Sequence, residues 1–174
     1  MNMQIELIPA SELADESFNI VINDLKPRET YRVEMFLSDY YCINAPMRLA
    51  HDVLWKSTAT FVSDMNGIID ISQTPSCSGS YEDIATMGLF FNAKPLTNRK
   101  KKLPNSLSKI PLLDHFFVGI KIMQGNTVIA ERTFTRHYMS LQISHQDIYG
   151  KHFQVRLFYD KKAIKTPSID YCER

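Results

Sequence analysis

The sequence has no run approaching the ~20 apolar residues that a helix needs to cross a bilayer, so it offers no candidate helical span. It also lacks a charge excess. Twenty Lys and Arg against 19 Asp and Glu leave a formal net charge of +1. That balance gives no long-range attraction to nucleic acid or to an anionic membrane. Cysteine is scarce: Cys42, Cys77 and Cys172 are odd in number, far apart and form no C-x-x-C pair. They read as free thiols in a reducing, cytoplasmic setting, not as a disulfide framework. Neither G-x-G-x-x-G nor G-x-x-x-x-G-K-[ST] occurs, so no glycine-rich turn is built to cradle a nucleotide phosphate. His51, His115, His137, His145 and His152 include no H-x-H or H-x-x-x-H pair, so no metal site is expected from spacing. Residues 1–10 have no basic stretch followed by an apolar one and read as a strand, not a signal peptide.

What is present is alternation. Hydrophobic residues make up 44% of the chain and charged residues 22%, an ordinary globular balance. Apolar side chains recur with period two at Met3, Ile5 and Leu7, at Phe18, Ile20 and Ile22, and at Tyr31, Val33, Met35 and Leu37. The same spacing returns at Val53, Trp55, Ser57, Ala59 and Phe61. Period two puts one face on a core and the other toward water. Pro9 closes the first run, Pro27 marks a turn, and Asn66-Gly67 supplies residues suited to positive φ. A hairpin is predicted from Phe117 to Arg136 around Gln124-Gly125-Asn126, with Val128, Ala130, Arg132 and Phe134 on one face. Leu141 to Ser144 and Phe153 to Tyr159 complete the set. Strands at short spacing without intervening helices point to an antiparallel sandwich.

Residues 73–114 break the pattern. They carry Pro75, Gly79, Gly88, Pro95, Pro104 and Pro111 and no sustained alternation. A structureless stretch that long in a compact domain is expected to carry function or short helical turns, one of them over residues 106–110. The basic run Arg99-Lys100-Lys101-Lys102 suits a solvated loop tip. Nucleophile chemistry finds no footing here. The nearest approach to a G-x-S-x-G elbow, Ser76-Cys77-Ser78-Gly79-Ser80, lacks the first glycine and a following helix. The neighbouring carboxylates Asp15-Glu16 and Glu82-Asp83 point to opposite faces of an extended chain, which suits surface charge better than acid–base work.

The same irregular stretch resembles a motif of the acyl-CoA thioesterase and bile acid-CoA:amino acid N-acyltransferase family. There a G-x-Y stretch leads to P-M-G-L-[FW]. Gly79 and Tyr81 match the first part, and Met87-Gly88-Leu89-Phe90 the second. Thr86 stands where the family usually has Pro, and Asp83 where Gly is common. Earlier, Leu25-Lys26-Pro27 resembles a G-L-x-P turn with Asp24 replacing the Gly. Ala59, Phe61, Asp64, Gly67 and Asp70 fall in register with A-x-F-x-A-D-x-x-G-x-V-D. Thr133 to Arg136 and Leu157-Phe158 are similar to T-L-x-R and L-F-x-P elements.

The resemblance implies an all-β, immunoglobulin-like antiparallel β-sandwich of about seven strands with one long loop insertion, spanning residues 1–165. Residues 166–174 would begin a linker or the first strand of an α/β-hydrolase domain that this chain lacks. The implied role is a non-catalytic N-terminal domain of a lipid-metabolising acyl-CoA thioester hydrolase or N-acyltransferase, with no cofactor of its own. The nucleophile would lie in the hydrolase domain, and acyl-CoA would be the substrate of the whole protein. Gly79, Tyr81, Met87, Leu89, Phe90 and Phe91 are the candidates for an interface with that domain near the substrate entrance. Arg99 to Lys102 would suit CoA phosphates. Two alternatives stay open: that these apolar side chains merely plug the end of the sandwich, and that the chain is a free-standing binding or adhesion module with no enzymatic role.

Overall fold

The alternating segments become strands in the computed structural model, which describes residues 3–10, 12–40, 53–96, 114–151 and 154–163. The chain divides into two compact units, Met1–Tyr138 and Met139–Arg174. Three expectations lie outside the described residues: the basic run 99–102, the helical turn over 106–110 and the boundary after residue 165.

In the first unit, β1 (Gln4–Ile8), β2 (Asn19–Asn23) and β5 (Ile69–Asp70) form one antiparallel sheet in the order β1-β2-β5. The second sheet joins β3 (Thr30–Ser38), β4 (Trp55–Val62), β6 (Ser78–Gly79), β8 (His115–Gln124) and β9 (Thr127–His137) in the order β6-β4-β3-β8-β9, with β7 (Lys94–Pro95) also on β4. The two sheets share one core. Ile5, Leu7, Ile20, Ile22 and Ile69 come from the first; Tyr31, Val33, Met35, Leu37, Ala59, Phe61, Phe116, Val118, Ile120 and Ile122 from the second. Ile5, Leu7, Ile20, Ile22, Tyr31, Val33, Met35, Leu37, Ala59 and Phe61 are the period-two positions, so the all-β sandwich expected from alternation is the fold observed. The described residues hold a single four-residue α-helix, α1 (Gly88–Phe91).

The hairpin forms with a correction. Val128 does not share a face with Ala130, Arg132 and Phe134. The ladder pairs Met123 with Val128 but Ile122 with Ala130, so Ile129 is an extra residue on β9. An inserted residue reverses which face its neighbours present. Val128 is therefore exposed, while Ile129, Ala130 and Phe134 pack on the core.

Two arginines on β9 tie the edges of the sheets together. Arg132 Nη1 donates to the Ile5 carbonyl at 2.6 Å, and its guanidinium lies 4.9 Å from the Phe134 ring centre. Arg136 is fully buried; it stacks 4.8 Å from Phe18 and donates to the Glu16 carbonyl. These charge-assisted bonds satisfy the carbonyls of Ile5 on β1 and of Glu16 in the connection to β2. Between these points the chain after β1 crosses over: Leu13 pairs in parallel with His137, Ala14 N donates to His137 O, and His137 N to Glu12 O.

The family-like residues of the β4–β5 connection are fold-makers. Asp64 Oδ1 accepts from the Asn66 and Ile68 amides, both at 2.8 Å, and shapes the turn. Gly67 has φ of 74°, and a Cβ there would lie 2.0 Å from the Leu25 carbonyl oxygen. Burial pushes the Asp70 carboxyl up, but hydrogen bonds from the Ser72 hydroxyl, Asn19 and the Ser72 amide outweigh it and hold the group below its ordinary value. Asp24, at the family's glycine position, has φ of 62°, a region that Asp enters more readily than most residues.

In the second unit, β10 (Ile143–Tyr149) and β11 (Gln154–Asp160) form an antiparallel hairpin, followed by a 3-10 turn at Lys161–Ala163.

Candidate functional site

Residues 76–91 begin as a loop laid across the edge of β4. Ser76 N donates to Asp83 O at 3.0 Å and Asp83 N to Ser76 O at 3.2 Å, which closes the loop at its base. The Ser76 hydroxyl bonds to the carbonyls of Ser78 and Tyr81 at 3.1 and 3.0 Å, so this serine braces the loop and is not poised as a nucleophile. Gly79 pairs with Ala59, has φ of 129°, and a Cβ there would lie 2.3 Å from the Thr58 oxygen. Only glycine allows that approach. Cys77 is an exposed free thiol.

The second half turns inward. The Gly88 amide donates to Ala85 O at 2.8 Å, closing a turn with Thr86 and Met87 in the middle. Met87 has φ −99° and ψ 16°, the third-position geometry of a type I turn. Thr86 thus occupies the second position, where proline's fixed φ is favourable. Asp83, at a position where the family commonly has glycine, has φ of 67°. The family pattern and the backbone demand agree at both places.

Gly88 then lies against the face of Tyr81: a Cβ on Gly88 would stand 2.5 Å from the ring. Burial pushes the Tyr81 phenol up to about 12, and its hydroxyl has no hydrogen-bond partner. Met87 Sδ accepts from the Phe18 amide at 3.4 Å. One helical turn fans out the next side chains. Leu89 is 1% exposed and joins the core. Phe90 is half-buried, edge-on to Phe18 at 6.0 Å and to Tyr40 at 5.5 Å, and 6.3 Å from Phe116. Phe91 is 76% exposed and touches Phe90 at 5.8 Å. Asn92 Nδ2 donates to Gly88 O at 2.8 Å and ends the turn.

The six candidate residues are therefore brought together, but they divide. Tyr81, Met87, Leu89 and Phe90 build the seal over one end of the sandwich, where β3 ends and β4 and β8 begin, while Gly79 sits on the exposed edge of β4. Phe91 projects from the seal. None of residues 79–91 lines the cleft of about 410 Å3 that runs beside Glu6, Glu12, Arg132 and Phe134.

Spacing rules missed one group. Asp114, His115 and His137 offer ligand atoms that all lie within 4.8 Å of one another. His115 and His137 are far apart in sequence, but the β8–β9 register places them opposite each other. The only signal available was the predicted hairpin, extended to its open end.

With this geometry in place, comparison with known proteins identifies the relationship. A family model described as the acyl-CoA thioester hydrolase/BAAT N-terminal region matches residues 15–149. The chain belongs to this family. Mouse acyl-coenzyme A amino acid N-acyltransferase 2 is 29% identical over 112 residues, covering 63% of this chain and 24% of the relative. Mouse acyl-coenzyme A amino acid N-acyltransferase 1 is 32% identical over 95 residues, 53% of this chain and 20% of the relative. Mouse bile acid-CoA:amino acid N-acyltransferase is 27% identical over 92 residues, again 53% and 20%. The alignments thus cover 20–24% of the length of these relatives. No helix among the described residues is long and apolar enough to cross a membrane.

Two substitutions test the reading of the loop. Thr86→Pro presets the turn without removing a bonded amide and should stabilise the protein by about 0.4–1 kcal/mol, measured by denaturant unfolding. Gly88→Ala forces the Tyr81 ring aside and should cost about 1–3 kcal/mol. In the Tyr81→Leu background that cost should fall by more than half, because the clash is with the ring.

Proposed function

We propose that this chain is the non-catalytic N-terminal region of an acyl-CoA thioester hydrolase or acyl-CoA:amino acid N-acyltransferase, and that residues 79–91 dock on an α/β-hydrolase domain near its substrate entrance. The parent reaction is attack on a thioester carbonyl, with transfer of the acyl group to water or to an amine. The groups for that attack belong, on this reading, to the hydrolase domain. Family membership supports the reading.

The observation that carries the docking role is the exposure of Phe91. Its neighbours in the same motif are packed, and an apolar ring held out on a braced turn is a suitable anchor for a partner surface. The exposed free thiol of Cys77 suits a reducing compartment, which fits a cytoplasmic enzyme of lipid metabolism.

The test begins with the reading frame after Arg174, where a nucleophile elbow is expected and a stop codon would favour a free-standing binding module. Purified alone, the chain should hydrolyse no acyl-CoA above the uncatalysed rate. Phe91→Asp should leave the stability of this chain within about 0.5 kcal/mol of wild type. In the complete gene product it should lower acyl-CoA turnover at least several-fold. Turnover by the isolated chain, or an unchanged complete enzyme carrying Phe91→Asp, would overturn the proposal.

A further inference from the structure

The open end of the β8–β9 hairpin carries an unassigned group of metal-ligating side chains. His115 and His137 face each other across the ladder, their ring centres 5.7 Å apart. Asp114 enters just before β8, with Oδ1 2.6 Å from His115 Nδ1. The crossing segment brings Glu12, whose Oε2 is 3.9 Å from His137 Nε2. Three separate stretches of chain thus converge through backbone pairing, not through chance side-chain reach.

Two further facts point to a cation. His137 Nδ1 is buried and has no hydrogen-bond partner, whereas buried polar atoms are nearly always satisfied. The ligand atoms of Asp114, His115 and His137 already lie within 4.8 Å of one another. Ligands held about 2.0–2.2 Å from a zinc ion need only close by roughly an ångström, which side-chain rotation supplies.

We propose that Asp114, His115 and His137 form a binding site for a divalent transition metal. Two imidazoles with carboxylates are borderline donors that suit Zn2+, Ni2+ or Cu2+ and do not suit the all-oxygen preference of Mg2+ or Ca2+. The site would clamp the start of β8 to the end of β9. Its role is structural stabilisation, because its ligands come from the elements that close this end of the sandwich. It stands independently of the acyl-CoA reading.

The test is titration of the chelator-treated full 174-residue chain with ZnCl2 by calorimetry, alongside thermal unfolding with and without Zn2+. Saturable one-site binding and a raised melting temperature, reversed by EDTA, are expected. His115→Gln and His137→Gln should each weaken binding at least about ten-fold. His145→Gln, in the second unit, should leave it unchanged. If a histidine variant fails to fold by circular dichroism, Asp114→Asn decides, since that side chain is largely exposed and its loss should still weaken binding several-fold. Absence of saturable binding, binding indifferent to these substitutions, or equal loss in His145→Gln would overturn the proposal.

Discussion

The close approach of Gly88 to the Tyr81 ring is the contact on which the rest of the loop depends. A side chain at residue 88 would collide with the ring, so glycine lets the turn settle on tyrosine instead of rising over it. Once the turn is down, one helical turn dictates the rest: Leu89 reaches the core, Phe90 meets Phe18 and Tyr40, and Phe91 is left outside. The Tyr81 hydroxyl stays unpaired beneath it. A polar atom left unsatisfied costs stability, so apolar packing over the end of the sandwich has to outweigh it.

The motifs that identify the family are, residue by residue, solutions to backbone problems. Gly67 and Gly79 pass too close to neighbouring carbonyls to bear a Cβ. Asp64 and Asp70 gather amides and hydroxyls around a turn. Even the departures follow this logic. Asp24 and Asp83 stand at positive φ, where the family uses glycine, and Thr86 sits where proline would preset the turn. Such a set preserves a scaffold.

The sandwich was legible because burial on one face of a strand writes itself into the sequence with period two, as at Tyr31, Val33, Met35 and Leu37. The extra residue at Ile129 was not, since neither glycine nor proline marks it and only pairing with Met123 and Ile122 reveals it. A four-residue helix such as α1 is too short to show a period. The candidate residues at 79–91 were found through resemblance, but their division into sealing and projecting groups depends on which way one short turn faces. The Asp114, His115 and His137 cluster was hidden for a related reason: its members meet through strand register, not local spacing.

If the projecting ring of Phe91 is the docking anchor proposed above, it is covered in the complete gene product. The most direct measurement is the maleimide labelling rate of a cysteine placed by Phe91→Cys, in a background with Cys42, Cys77 and Cys172 replaced by serine. The rate is compared between this chain and the complete gene product. Docking through Phe91 requires fast labelling in the chain alone and labelling at least ten times slower in the complete protein. Equal rates in the two would contradict it.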